Sequence, residues 1–264
     1  MENSGKYALL TGATSGIGLE LAKLFAKDNY NLILIARNQA DLFATADLLA
    51  PHGIEVITIS KDLFEPDAAI EIYEEVKARG IAIDVLVNDA GQGVYGKFID
   101  NELERELAIV QLNISSLVSL TKFFVKDFVA RGSGKILNVA SIAGKAPGPY
   151  QAVYHATKAF VHSFTEAVRS ELKDTGVSLT SLLPGATDTD FFAKADMLDS
   201  KAVQGELSDP ADVAKDGYEA LQAGKDMVVS GLKNKLNVAM GNVTPDHLQA
   251  DMMGKMQEPV DEKK

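Results

Sequence analysis

The chain contains no cysteine. Disulfides, thiol nucleophiles and cysteine-ligated metals are therefore excluded as sources of stability or chemistry. Histidine is scarce too. The four present are His52, His155, His162 and His247, and they show no metal-ligand spacing. All four read as structural or solvated, with His155 expected on a different helix face from its neighbour Tyr154, and no metal site is predicted. Basic residues are outnumbered, 26 Lys and Arg against 37 Asp and Glu, which leaves a formal charge of −11 and a pI near 4.9. Nucleic-acid binding needs a basic stripe along the phosphates, and the short tract Lys233–Lys235 does not supply one. No uninterrupted apolar run approaches the roughly 18 residues that a membrane-spanning segment needs. The opening MENSGKYALLTG enters an apolar strand almost at once, with no leader pattern. A soluble cytoplasmic protein is expected.

What is present is an ordinary folded composition, 46% hydrophobic and 24% charged over 264 residues, enough for a substantial core. Short apolar runs at Tyr7–Leu10, Asn31–Ala36, Ile54–Ile59, Asp84–Asn88, Lys135–Ala140 and Val177–Leu183 read as strands, with a last short one at Asp226–Val229. Helical spacing fills the intervals: Gly16–Lys27, Gln39 to about Ala50, Pro66–Arg79 opened by its proline, Leu103–Ala130, and Tyr150–Asp174. Asp209–Ala223 carries an Asp N-cap and Pro at the first helical position. Alternating strands and helices, with Val/Ile/Leu-rich strands, predict a parallel sheet covered on both faces. The expected fold is a three-layer, doubly wound α/β Rossmann arrangement of about seven strands. Its strand order is 3-2-1-4-5-6, with the seventh at the edge, in one domain over residues 1–264. Ligands of such sheets bind beyond the carboxyl ends of the strands.

Two local patterns carry chemistry. Between strand one and its helix lies Thr11-Gly12-Ala13-Thr14-Ser15-Gly16-Ile17-Gly18. The glycines permit a tight turn and the close approach of a diphosphate to a helix amino terminus, where free N–H groups and the dipole favour an anion. Tyr154 and Lys158 lie four apart on a helical stretch and so share a face. An ammonium beside a phenol is expected to lower a pKa that is about 10 when unperturbed, making Tyr154 a proton donor and acceptor near neutral pH. Ser141 closes the fifth strand, where its hydroxyl faces the sheet's carboxyl edge.

The G-x-x-x-G-x-G spacing, with Tyr154-x-x-x-Lys158 and Ser141 thirteen residues before Tyr154, resembles the single-domain short-chain dehydrogenases/reductases. The resemblance covers residues from about 6 to 230. It implies a nicotinamide dinucleotide and hydride transfer between the nicotinamide and a carbonyl or alcohol carbon. It also implies a catalytic tetrad of Asn113, Ser141, Tyr154 and Lys158. Asn113 would kink the long helix and hold a water leading to the lysine. The dinucleotide would lie against Gly12, Thr14, Ser15, Gly16, Ile17 and Gly18. Asp62 and Leu63 would flank the adenine, although an Asp after a strand serves equally as a turn former. Asn88, Ala90 and Gly91 would pass under the ribose. Tyr154 and Lys158 would reach the nicotinamide half, with Pro184, Gly185, Thr187 and Thr189 holding the carboxamide. Asp89 departs from the Asn expected beside Asn88, which replaces donors with acceptors.

Strand two ends in Ala36-Arg37-Asn38, without the carboxylate that binds a ribose 2′-hydroxyl. With Arg37 and Asn38 there, NADP(H) is expected over NAD(H), since a guanidinium binds a phosphate bidentately. Arg37 capping a strand end in solvent is the alternative. Gln92–Tyr95, Ser141, Ile142, Pro147, Tyr150, Tyr154 and Phe191 are expected around a largely apolar substrate. Residues 186–208 would form a lid over it, and a helix in the tail 232–264 would cover the pocket mouth or a subunit contact. The terminal EPVDEKK is expected to be disordered. Two competing readings stand beside the reductase: a non-catalytic NADP(H)-binding sensor, and a sugar-nucleotide epimerase or dehydratase, for which too little chain follows Val229. The resemblance also implies a homodimer or homotetramer.

Overall fold

In the computed structural model, which describes residues 5–241 and 243–260, the short apolar runs form seven strands. They are β1 (Tyr7–Thr11), β2 (Asn31–Ala36), β3 (Val56–Ser60), β4 (Ile83–Asn88), β5 (Gly134–Val139), β6 (Val177–Leu183) and β7 (Met227–Val229). All pair in parallel, in the order β3-β2-β1-β4-β5-β6-β7. The expected topology and the edge strand are both observed.

Alternate strand residues point to opposite faces. Leu10 and Leu34 pack with Leu21 and Phe25 of α1 (Gly16–Lys27), Leu42 of α2 (Gln39–Leu49) and Leu221 of α8 (Pro210–Gln222). Their neighbours Leu9 and Ile33 face the other way, onto Ile72 of α3 (Ala68–Ala78) and Phe124 and Phe128 of α5 (Ser116–Arg131). Burying both faces is what makes the central strands apolar throughout.

The long helix predicted from Leu103 is observed in three parts: α4 (Leu103–Val110), a π-helical segment Gln111–Ser115, and α5. Residues 103–131 are long and apolar enough to cross a membrane by composition alone, but Leu117, Leu120, Phe124 and Phe128 are buried within the fold. α6 (Ala152–Glu171) starts later than predicted because Tyr150 adopts φ +67°, a left-handed conformation that no α-helix contains. α3 likewise begins at Ala68, after a turn in which Ala68 N–H reaches the Glu65 carbonyl, so Pro66 precedes the helix rather than opening it. At α8 the expected cap is present, Asp209 accepting from Ala211 N–H at 2.8 Å with Pro210 following.

The segment 186–208 holds a short helix, α7 (Phe191–Lys194), and a bridge between Thr187 and Ser208. Phe192, Ala195 and Met197 form their own small apolar cluster there. The tail forms two helices, α9 (Leu232–Gly241) and α10 (Asp246–Gln257). Of the stretch expected to be disordered, Glu258–Val260 is anchored: Lys201 N–H bonds the Glu258 carbonyl at 3.1 Å and Val260 N–H the Asp199 carbonyl at 2.7 Å. Residues 261–264 lie outside the described residues.

Candidate active site

β1 and β4 end side by side, and Thr11 joins them. Its Oγ1 accepts the N–H groups of Asp89 and Ala90, each at 3.1 Å, and donates to the Val87 carbonyl. Beyond them opens a cavity of about 860 Å³ that runs across the carboxyl edge of the sheet. Gly12, Thr14, Ser15, Gly16 and Ile17 line one side. Ser15 caps α1 in an extended conformation, with no side-chain hydrogen bond to the helix and no acid in the first turn. The positive end of α1 is thus left without a side-chain anion of its own helix, as an anionic ligand requires. A dinucleotide diphosphate fits this loop on its donor chemistry.

Arg37, Asn38, Asp62 and Leu63 line the far end. The Arg37 guanidinium stacks over the Phe64 ring at 5.3 Å, which holds a charged fork at the cavity rim. Asn38 has a structural task as well, its Oδ1 capping α2 by accepting from Ala40 N–H at 2.9 Å. Asp62 makes the turn that was its alternative reading, accepting Phe64 N–H at 3.1 Å, and also lines the cavity.

In the middle of the cavity Ala90, Gly91, Ser141, Tyr154 and Lys158 converge, with Pro184, Gly185, Thr187 and Thr189 opposite. Ser141 is held by Ala143 N–H, which donates to its Oγ at 3.0 Å, and by the Pro184 carbonyl, which accepts from it at 3.4 Å. Lys158 Nζ donates to the Val139 carbonyl at 2.8 Å and stands 5.9 Å from the centre of the Tyr154 ring. This geometry overturns the expected phenol acidity. Burial pushes the Tyr154 phenol up to about 12, and only a hydrogen bond with the Ser141 hydroxyl works the other way. The ammonium, with one donor on the Val139 carbonyl, is not among the groups that offset this desolvation of the neutral phenol. Burial in turn pushes Lys158 down to about 8, while the Asp89 carboxyl opposes the shift.

Asn113 sits in the π-helical segment, so the expected irregularity in the long helix falls at this residue. Its side chain is committed to protein. Oδ1 accepts Gln92 N–H at 3.0 Å, and Nδ2 donates to the Gln92 carbonyl and to Thr157 Oγ1. It does not line the cavity, and its observed task is to tie the β4 loop to α6.

Further expected residues fall off the cavity surface. Asn88 is buried between strands, its Nδ2 donating to Asn138 Oδ1 at 2.9 Å and Thr121 Oγ1 at 3.1 Å, so it braces the sheet. Gly18 lies behind the loop, against the Gly12 carbonyl and the Asp89 carboxyl. Tyr150 stacks on Tyr95, centroids 5.8 Å apart, instead of facing the ligand space. Gln92, Ile142 and Phe191 do line it, with the Phe191 ring 5.0 Å from that of Tyr154. Pro147 and 93–95 are absent from the lining.

The tail, expected over the pocket mouth or a subunit contact, supplies a roof. Met252, Met253, Met256 and Gln257 of α10 line the cavity, as do Val238 and Met240 of α9. His155, expected on another face, lines it too. Its Nδ1 bonds the Ala146 carbonyl and its Nε2 meets Gln257 Nε2, both at 2.8 Å. The methionine spacing in the tail was visible; no local signal marked Gln257. Among the described residues, no three His, Asp or Glu side chains gather as metal ligands.

Residues 6–198 match the family model of the short chain dehydrogenases. The chain belongs to the short-chain dehydrogenase/reductase family. It is 30% identical over 242 residues to the ketoacyl reductase HetN of Nostoc sp., covering 92% of this chain and 80% of that one. A short-chain dehydrogenase from Sphingobium yanoikuyae, solved in complex with NADPH, superposes with a TM-score of 0.81 at 28% identity, over 90% of this chain and 93% of the other. A family member from Burkholderia phymatum in complex with NAD gives 0.82 at 22% identity over 99% of each chain, which speaks for the fold alone. The family consists of oxidoreductases whose fold binds a nicotinamide dinucleotide.

Proposed function

We propose that this family member reduces an apolar carbonyl compound at the expense of NADPH, with Tyr154 as the proton donor. The observation that carries the reading is one cavity shared by three chemistries: an anion-accepting loop with Arg37 at one end, Ser141, Tyr154 and Lys158 in the middle, and a methionine and phenylalanine surface at the other. NADPH, when bound, supplies the hydride. Its diphosphate would be held by the Gly12–Ile17 loop, and its 2′-phosphate by Arg37, which meets no carboxylate at the end of β2. The NADPH complex of the Sphingobium relative supports the same choice.

Ser141 and Tyr154 hydrogen-bond the substrate oxygen and polarise the carbonyl. A phenol raised to about 12 is fully protonated at neutral pH, so the donor is loaded before the substrate arrives. As negative charge gathers on the substrate oxygen, Tyr154 passes its proton across. The Lys158 ammonium nearby stabilises the phenolate left behind. Phe191, Met252 and Met256 present an apolar surface that favours an apolar substituent, methionine adapting to irregular shapes. Residues 186–208 and the two tail helices act as the cover, within a single catalytic domain. Exposed Leu103 and Leu107 on α4 and Phe160 on α6 support a homodimer or homotetramer built on the long helices.

The test is NADPH oxidation with a panel of acyl, steroid-like, sugar and aromatic carbonyls. Turnover restricted to apolar members is expected. NADPH binding without turnover of any member would overturn the reductase in favour of a sensor.

A further inference from the structure

Asp89 is a half-buried residue that lines the cavity beside the glycine loop, its Oδ2 3.0 Å from where a Cβ on Gly12 would stand. It accepts the N–H of Gly18 in the first turn of α1, so it already occupies part of the helix amino terminus that an anionic ligand would use. A Cβ added to Gly18 would stand 2.5 Å from Asp89 Oδ2 and 2.3 Å from the Gly12 carbonyl oxygen, so carboxyl and carbonyl share one corner under the loop. A carboxylate in that corner puts acceptor against acceptor. A carboxylic acid can donate to the carbonyl while still accepting from Gly18. On the other side the single charged group acting on it, among the described residues, is the Lys158 ammonium of α6. Thr11 at the end of β1 and Gly12 after it lie against Asp89 and carry no charge.

We propose that Asp89 is the proton-linked element of the dinucleotide site, taking up a proton as the cofactor's diphosphate seats on the Gly12–Ile17 loop. Two anions then share one helix terminus, and the one that can titrate gives up its charge. Burial supports this by pushing the carboxyl up to about 7 in the free protein, so it is half ionised at neutral pH and poised to respond. The sign follows from linkage: binding raises its pKa further, protons are taken up, and cofactor affinity falls as pH rises above about 7. The oxidation state of the nicotinamide plays no part, because the diphosphate is common to all four dinucleotide forms. The inference rests on the dinucleotide site of the proposed function.

The test is isothermal titration calorimetry of the full chain with NADPH and, in parallel, NADH, at three pH values spanning neutrality. Each titration is run in two buffers of different ionisation heat, so that protons taken up are counted directly. The expected result is an uptake approaching one proton just above neutral pH, with affinity falling up to about tenfold per pH unit there. The isosteric Asp89→Asn variant lacks this uptake, and the difference between the two proteins cancels the titration of the NADPH 2′-phosphate. Binding of either dinucleotide by the wild-type chain with no proton uptake overturns the proposal without reference to any variant. Equal uptake in wild type and Asp89→Asn overturns it as well, assigning the proton elsewhere. Failure of both dinucleotides to bind would instead bring down the site reading beneath it.

Discussion

Gln257 Nε2 lies 2.8 Å from His155 Nε2, a contact that spans 102 residues and closes the last helix over the cavity. The Gln257 carbonyl completes the attachment by accepting from Tyr95 Oη at 2.5 Å and Ser200 Oγ at 3.2 Å. With Nδ1 donating to the Ala146 carbonyl, the ring must be neutral for Nε2 to accept, and burial accordingly holds His155 below its ordinary 6.5.

Removing the side-chain half of this contact leaves a buried imidazole nitrogen unpaired. Gln257→Ala is expected to cost about 1–3 kcal/mol of tail docking. Steady-state kinetics should show KM for an apolar carbonyl rising several-fold, with NADPH affinity unmoved because Arg37 and the glycine loop lie at the other end. A base whose folded pKa is depressed loses stability as pH falls below its unfolded value, so protease sensitivity of the tail should increase below about pH 6.5.

Tyr154→Phe removes the proton and keeps the ring against Phe191. Turnover is expected to fall by about 10²–10⁴-fold, the usual contribution of a positioned acid. NADPH binding, measured by calorimetry or fluorescence, should remain close to normal. Near-normal turnover would remove Tyr154 from the mechanism.

Arg37→Ala deletes a charge-assisted contact to a phosphate and the stack on Phe64. Hydrogen bonds to charged groups contribute about 1.5–3 kcal/mol, so the ratio of kcat/KM for NADPH over NADH should drop about ten- to a hundredfold. An unchanged ratio would return Arg37 to the role of a solvated strand end.

Asp89→Asn also carries a stability signature. An unfolded Asp titrates near ~3.9, whereas burial pushes this one up to about 7. Its contribution to stability is therefore fully present below the lower value and lost as pH rises through the higher one. The variant's Tm advantage over wild type should grow by several degrees between about pH 4.5 and about pH 8. Equal Tm differences at both pH values would show that the carboxyl is not raised.

Gly18→Ala tests the packing behind the loop. In an exposed helix the change would gain about 1 kcal/mol from propensity. Here the new methyl group would meet the Gly12 carbonyl oxygen at 2.3 Å and its carbon at 2.9 Å, both backbone. Overpacking of this kind costs about 1–3 kcal/mol, so thermal denaturation should show a net loss, accompanied by weaker dinucleotide binding.

Much of this molecule is encoded between near neighbours. Two-residue and 3.6-residue periodicities located the strands and most of the helices, and their alternation implied the strand order. A glycine loop after β1 and a tyrosine four residues before a lysine marked the site, because backbone freedom and a shared helix face are local properties. Asn88 and Tyr150 escaped that logic: one turned inward to Asn138 and Thr121, the other left the helix at φ +67°. Packing alone decided the rest. Whether Tyr154 is acidic or basic, whether Asp89 keeps its proton, and which residue meets His155 all depend on how much water and which distant groups surround them. Desolvation and contacts over a hundred residues arise only when the layers close, and no stretch of neighbouring residues contains them.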